Sequence, residues 1–173
     1  QTDVEPRKIP DFSDRKGVWV FAEQRNESLV PVSLELLGKA HELAQELGQD
    51  VSAVLVGHHV RGIADTLLSH GAKNVYLAED EALRHYTTNA YTKIIEELVR
   101  EHKPSILLMG ATHIGRDLAP RVSRRIGVGL TADCTGLSID PEERILLQTR
   151  PAFGGNVMAT IVNRHSRPQM ATV

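Results

Sequence analysis

Apolar positions along this chain fall into short continuous runs, separated by stretches where they recur every three or four residues. Gly17-Val-Trp-Val-Phe-Ala22, Val51 to Val56, Asn74 to Ala78 and Ile106 to Met109 are runs of the first kind. Each is rich in β-forming residues and predicts a strand. After the polar loop Glu23 to Ser28, the positions Val32, Leu36, Leu37, Ala40, Leu43, Ala44 and Leu47 lie on one face of a helix that Pro31 opens and Gly48 stops. Ile63, Ala64, Leu67 and Leu68 predict a shorter helix ended by Gly71. Ala90, Tyr91, Ile94, Ile95, Leu98 and Val99 predict a longer one, capped by Thr87 or Thr88 and finished before Pro104. A fourth helix is expected from about Ile114 to Ile126. Strands and helices alternating at this spacing imply right-handed βαβ units, and so a doubly wound α/β fold with a mostly parallel sheet covered on both faces.

The pattern then changes. Leu137 and Ile139, a turn at Asp140-Pro-Glu-Glu143, Ile145 to Leu147, a second turn over Pro151 to Gly155 and the alternating Val157, Ala159 and Ile161 are hairpin signals. They predict a C-terminal antiparallel region, either added to one edge of the parallel sheet or forming a small sheet of its own. At the other end, Gln1 to Lys16 holds eight charged residues and two prolines without periodicity, the composition of a linker or arm from an upstream segment. Residues 17–173 are expected to form a single α/β domain.

Composition narrows the function. The chain has 173 residues, of which 41% are apolar and only 4% aromatic. The core is therefore aliphatic, and no aromatic platform for single-stranded nucleic acid exists. Twenty basic and twenty-two acidic residues leave a formal net charge of -2, so no global field draws the chain to nucleic acid or to an anionic membrane. No apolar run approaches the roughly 20 residues of a membrane span. The one cysteine, Cys134, excludes an intramolecular disulfide or a four-cysteine cluster, fits a reducing compartment, and is expected to pack at a strand start.

The stretch Gly110-Ala-Thr-His-Ile-Gly-Arg-Asp-Leu-Ala-Pro-Arg121 carries the most organised chemistry. A buried strand delivers a glycine-flanked turn to a helix start, the usual place for an anion in open α/β folds. The stretch nevertheless lacks the Lys-Ser/Thr of a P-loop, and Asp117, which would favour the helix dipole, would repel a phosphate. Gly127-Val-Gly129-Leu-Thr-Ala132 matches a dinucleotide fingerprint in spelling but follows a helix, so Gly127 is read as a helix C-cap. The adjacent His58 and His59 have no carboxylate or cysteine at ligand spacing, and no metal site is expected. Neither G-x-S-x-G nor H-E-x-x-H occurs, and no catalytic residue is assigned. The loop Arg150-Pro-Ala-Phe-Gly-Gly-Asn156 is the second informative segment, because a guanidinium at a strand end can stabilise an anion and hydrogen-bond a planar heterocycle.

Five segments together resemble the α subunit of electron transfer flavoproteins: Val20-Phe-Ala-Glu-Gln24, Gly110 to Arg121, Gly129-Leu-Thr-Ala-Asp-Cys-Thr-Gly-Leu137, Thr149-Arg-Pro-Ala-Phe-Gly-Gly-Asn156 and Arg167-Pro-Gln-Met170. The resemblance spans nearly all of Gly17 to Val173. It implies an adenine-nucleotide-hydrolase-like, Rossmann-like domain that pairs with a homologous β subunit around a pseudo-twofold. In that family FAD is held mainly by a second, C-terminal domain of the α subunit, whose flavin-binding motifs are absent here. This piece alone is therefore not expected to hold the electron-carrying FAD. The β subunit carries AMP or, in electron-bifurcating members, a second FAD, and the residue matching the arginine that approaches that flavin is Arg150. A cation at a flavin's N5 and N1 edge favours reduced, anionic states.

The resemblance implies an electron-carrier subunit in a heterodimer that helps to enclose a partner's flavin or AMP. Electrons would then pass between an acyl-CoA or other dehydrogenase, the flavins and a further acceptor. A bacterial cytoplasm is expected ahead of a mitochondrial matrix. The alternative is a stand-alone nucleotide-binding regulator of the universal-stress-protein type, although Gly127-Val and Gly129-Leu lack the hydroxyl such a phosphate loop uses. An acyl-transfer or hydrolytic enzyme has neither nucleophile motif nor metal site to support it.

Overall fold

The structure, a computed structural model, describes residues 7–152, 154–155 and 157–173. The first six residues of the expected arm, together with Phe153 and Asn156 of the Arg150 loop, lie outside the described residues. Strand β1 (Val18–Phe21) is followed by a small hairpin, β2 (Gln24–Arg25) and β3 (Ser28–Leu29), where a plain polar loop was expected. Its two turn residues, Asn26 and Glu27, both have positive φ, which suits the twist of a two-residue hairpin. Helix α1 (Pro31–Leu47) has proline in its first turn and ends at Gly48, whose φ of 64° is left-handed. There Gln49 N–H donates to Ala44 O at 2.9 Å, so the last turn's carbonyls are satisfied by the chain itself.

Strand β4 (Val51–Gly57), helix α2 (Arg61–Ser69), strand β5 (Asn74–Glu79), helix α3 (Thr88–His102), strand β6 (Ile106–Met109) and helix α4 (His113–Ile126) complete the alternating part. The short strands β7 (Leu130–Thr131) and β8 (Gly136–Ile139), then β9 (Leu146–Pro151), β10 (Met158–Ile161) and β11 (Gln169–Thr172), follow. Six strands form one parallel sheet in the order β5-β4-β1-β6-β11-β7. From β1 the chain winds outward through β4 to β5, then returns to place β6 on the other side of β1. The strand order therefore reverses between β1 and β6, and ligands of such sheets favour the carboxyl ends at that reversal.

Alternation of side chains across the strands divides the interior into two layers. Val18, Val20, Ala53, Leu55, Ile106 and Leu108 pack with α1 and α2. Trp19, Phe21, Val54, Val56, Leu107 and Met109 pack with α3 and α4. Each fully buried side chain such as Leu107 or Leu118 contributes about 1.5–3 kcal/mol by leaving water.

Strand β11 has no counterpart in the sequence pattern. It fills the slot between β6 and β7, pairing Met170 with Leu107 on one side and Leu130 on the other. Its polar ends hid it: Gln169 and Thr172 are almost wholly buried. Both are satisfied, since the Gln169 amide accepts from Leu146 N–H at 2.9 Å and donates to Leu146 O at 3.2 Å, and Thr172 Oγ1 accepts from Asp133 N–H.

Of the two placements left open for the hairpin region, the structure takes the separate sheet, three strands in the order β10-β9-β8. Leu137, Ile139 and Leu146 join the α1 side of the core, and Arg144 donates to Leu47 O at 2.8 Å. Gln148, also buried, accepts from the Thr131 hydroxyl at 2.8 Å and donates to Met170 O at 2.9 Å. Two glutamines thus join the sheets where apolar packing alone would leave strand carbonyls and amides unpaired. Part of the arm is also tied down, by Lys103 to Asp14 at 2.9 Å and by the Arg167 guanidinium 4.2 Å above the Phe12 ring.

Replacing Gln148 with alanine should cost about 2–4 kcal/mol in denaturant unfolding, since it strands the Thr131 hydroxyl and the Met170 carbonyl and leaves a hole. An unchanged midpoint would show that the joint is not stabilising.

Candidate functional site

Two places in this fold qualify as sites from the sequence: the carboxyl end of the parallel sheet around Gly110, and the end of β9 that carries Arg150. At the first, the strand-to-helix turn is closed by the chain's own atoms. Thr112 caps α4, its hydroxyl oxygen accepting from Gly115 N–H at 3.0 Å while its proton goes to Glu23 Oε2 at 2.6 Å. Glu23 is 2% exposed and receives Arg25 at 3.2 Å on its other oxygen. A carboxylate therefore stands where a phosphate would have to sit.

The glycines of this stretch serve close packing rather than a ligand. A Cβ on Gly115 would lie 1.7 Å from Gly110 O, and one on Gly110 would press on Val32 at 3.0 Å. The neighbouring helix start is closed in the same way, with Glu79 accepting from the N–H groups of Val60 and Arg61 at 2.8 and 3.0 Å. The N–H groups of Gly115, Val60 and Arg61 are thus already taken by side chains.

Asp117 differs from its expected role. Helix α4 begins at His113, so Asp117 lies beyond the first turn and faces α3, accepting from Tyr86 at 2.6 Å and from Thr88. These hydrogen bonds, Thr88's first, hold its carboxyl below the ordinary aspartate range. Thr88 is thereby turned away from capping α3, and Thr87 at the N-cap makes no side-chain cap bond. Burial, with the Asp117 contact second, pushes the Tyr86 hydroxyl up to about 12. Gly127, with φ of 76° and its N–H on Ser123 O, is the helix C-cap that its position implied. His113 is an exposed first residue of α4, while the rings of His58 and His59 lie 3.8 Å apart at a tilt of 58°, and no metal-holding cluster occurs among the described residues.

The second place is different in kind. Arg150 pairs with Ala159 across β9 and β10. Residues two apart on a strand share a face, so Arg150 points to the same side as Leu146 and Gln148, which anchor β9 to the parallel sheet. Among the described residues it makes no ion pair and no side-chain hydrogen bond. An open cavity of about 400 Å³ lies beside it, lined by Arg150, Pro151, Ala152, Ala159 and Ile161. The same hairpin exposes Val157, Met158 and Ile161, at 60%, 54% and 38%, along the free edge of β10. A guanidinium next to an apolar shelf can receive a planar, partly anionic ring and the surface of a second protein.

Residues 18–173 match the family model for the electron transfer flavoprotein domain. The chain belongs to the electron transfer flavoprotein family. It is 59% identical over 161 residues to the electron transfer flavoprotein subunit alpha of Clostridium acetobutylicum, covering 93% of this chain and 48% of that protein. It is 44% identical over 163 residues to the LctC subunit of an NAD(+),ferredoxin lactate dehydrogenase from Acetobacterium woodii, covering 94% and 39%. It is 40% identical over 185 residues to an acryloyl-CoA reductase electron transfer subunit beta from Anaerotignum propionicum, covering 94% and 50%. The chain thus spans about half the length of these curated relatives.

Within this electron transfer flavoprotein domain, the family segments meet in space. Arg116 of the Gly110 stretch pairs with Asp133 at 3.2 Å, and the next residue, Cys134, donates its backbone N–H to Thr172 O. Thr135 N–H in turn reaches Thr149 O, one residue before Arg150. The sequence pattern had no means of finding Glu23, Glu79 or Gln148 as organising residues, because each is a polar side chain buried only by tertiary structure. Cys134 lies buried between β7 and β8, two residues before the strand start expected for it. Desolvation raises its thiol to about 11, with Arg150's charge opposing and Asp133's reinforcing the rise.

Native Cys134 should therefore resist an aromatic disulfide reagent at pH 7.5 and react quickly only after denaturation. Rapid stoichiometric labelling of folded protein would show that the thiol is more open than this.

Proposed function

We propose that this chain is the part of an electron transfer flavoprotein α subunit that pairs with a β subunit and walls one side of that partner's flavin or AMP site. The observation that carries the reading is the Arg150 guanidinium, unpaired among the described residues, beside the apolar shelf of Ala159 and Ile161. An arginine without an ion pair or side-chain hydrogen bond among the described residues, on a hairpin that also exposes Val157 and Met158, suits a partner-borne aromatic anion. Family membership and the relatives named for electron transfer subunits support it further. The carboxylates of Glu23 and Glu79, standing beside the starts of α4 and α2, weigh against a stand-alone nucleotide-binding regulator.

The residues fit a flavin in chemical terms. The β9–β10 hairpin would lie against the partner, and Arg150 would supply the cation at the ring's N5 and N1 edge. The flavin, FAD in the bifurcating type, supplies the electron-carrying chemistry when bound. This chain orients the ring, excludes water with its apolar shelf, and offers positive charge that is worth more where water is displaced. An acyl-CoA or other dehydrogenase would deliver electrons to the complex, and the electron-carrying FAD would be held mainly outside these residues. The proposed site of action is a bacterial cytoplasm; no helix among the described residues is long and apolar enough to cross a membrane.

The test is reconstitution with the β subunit. A stable heterodimer is expected. In it, Arg150→Ala should make the partner flavin's two-electron potential about 30–60 mV more negative, the equivalent of one charge-assisted hydrogen bond of about 1.5–3 kcal/mol. Arg150→Lys should restore part of the shift. A chain that stays monomeric, or an unaltered redox titration, would remove the proposal or Arg150's part in it.

A further inference from the structure

A cleft remains at the carboxyl end of the sheet that the flavin reading does not use. Loops following three parallel strands converge there. Gln24, Arg25 and Asn26 follow β1, His58 and His59 follow β4, and Arg84, His85 and Tyr86 follow β5. They enclose two adjoining cavities of about 200 and 360 Å³ that share Gln24, Asn26, Arg84 and His85.

The two cavities differ in chemistry. The smaller has an apolar floor of Phe21, Val56, Tyr91 and Ile114. The larger is walled by His58, His59, Arg84 and His85. Arg84 stands at the boundary, its guanidinium 3.3 Å from His58 Nε2 and 3.7 Å from Glu81. Acids lie nearby, but most are engaged: Glu79 with the start of α2, Glu23 with Thr112 and Arg25, and Glu81 loosely with Arg84, while Glu27 lines the outer rim.

The walls are fixed before any ligand arrives. Gln24 Nε2 donates to Val56 O at 3.2 Å while its Oε1 accepts from Glu27 N–H, locking the β2–β3 hairpin over β4. A Cβ on Gly57 would meet that Gln24 amide at 2.6 Å, so glycine at the end of β4 is what lets the hairpin close down. The Tyr91 hydroxyl reaches Leu83 O at 3.2 Å and fixes the segment carrying Arg84. Preorganised walls of this kind reduce the ordering cost of binding.

We propose that this cleft binds a small phosphate monoester, its phosphate held by Arg84, His85 and the Nδ1 side of His58, whose Nε2 accepts from Arg84, and its organic group seated on the floor of Phe21, Tyr91 and Ile114. Donors arriving from separate loops suit a tetrahedral anion with three terminal oxygens better than a planar carboxylate. The N–H groups of Val60, Arg61 and Gly115 are already held by Glu79 and Thr112. The anion is held by side-chain donors alone, and binding is salt-sensitive because those donors are exposed.

Calorimetry with inorganic phosphate and phenyl phosphate, on the chain and on its complex with a β subunit, tests this. Both probes should bind at one saturable site, phenyl phosphate about tenfold more tightly because only it covers the apolar floor, a difference of about 1.4 kcal/mol. Arg84→Gln should weaken both about tenfold, and Glu81→Gln, which frees Arg84 of its competing carboxylate, should tighten both. Arg124→Gln, on the exposed face of α4, should change neither. Far-UV circular dichroism confirms that the exposed-site variants fold. Absence of saturable binding at about 10 mM, some tenfold above the millimolar range of a weak site, equal affinity for the two probes, or indifference to Arg84 and Glu81 would each overturn the assignment.

Discussion

Two buried glutamines determine how this molecule is put together. Gln148 spans from β9 to the hydroxyl of Thr131 and the carbonyl of Met170, and Gln169 reaches from β11 to both backbone groups of Leu146. An amide carries both a donor and an acceptor, so each can satisfy edges of two sheets that meet without sharing a ladder. Such joints fix register as well as position, because shifting β9 by one residue would bury a group with the wrong partners. Arg150 is two residues beyond Gln148 and on the same face. Its direction is therefore a consequence of the joint.

The same economy of polar contacts closes the carboxyl end of the parallel sheet. In a nucleotide-binding sheet the reversal between β1 and β6 would leave helix N–H groups free for a phosphate. Here Glu79 takes the N–H groups of Val60 and Arg61 and Thr112 takes that of Gly115, while Glu23, held by Thr112 and Arg25, sets a carboxylate beside the start of α4. The fold keeps the architecture of a nucleotide binder while carboxylates stand at or beside two of its helix starts. What remains chemically open is formed by side chains: Arg150 on the small sheet, and the Arg84 and histidine cleft on the loops.

Much of this was legible in the chain. The runs Val18 to Phe21, Val51 to Val56 and Ile106 to Met109 announced buried strands because both their faces are covered, and Pro31, Gly48 and Gly127 marked helix ends through backbone constraints that act locally. Strand β11 was not legible, since Gln169 and Thr172 look like surface residues until Leu146 and Asp133 are brought beside them. Asp117 was misread for the same reason: its partners are Thr88, the first residue of another helix, and Tyr86 in the loop before it. The resemblance carried by the Gly110 and Thr149 segments located the family, and Arg150 stood out in sequence only as an arginine before a proline. Its lack of a partner among the described residues became visible only with the fold.

The central claim is that β9 presents Arg150 to a flavin in a partner subunit. A structure of this chain bound to a flavin-loaded β subunit tests it most directly. The Arg150 guanidinium is expected within about 3–4 Å of the isoalloxazine edge, close to hydrogen-bonding range, with the β9–β10 hairpin buried against the partner and the Gln148 joint unchanged. An Arg150 that points to solvent, or a flavin more than about 10 Å away, beyond a Debye length at ordinary salt, would contradict it.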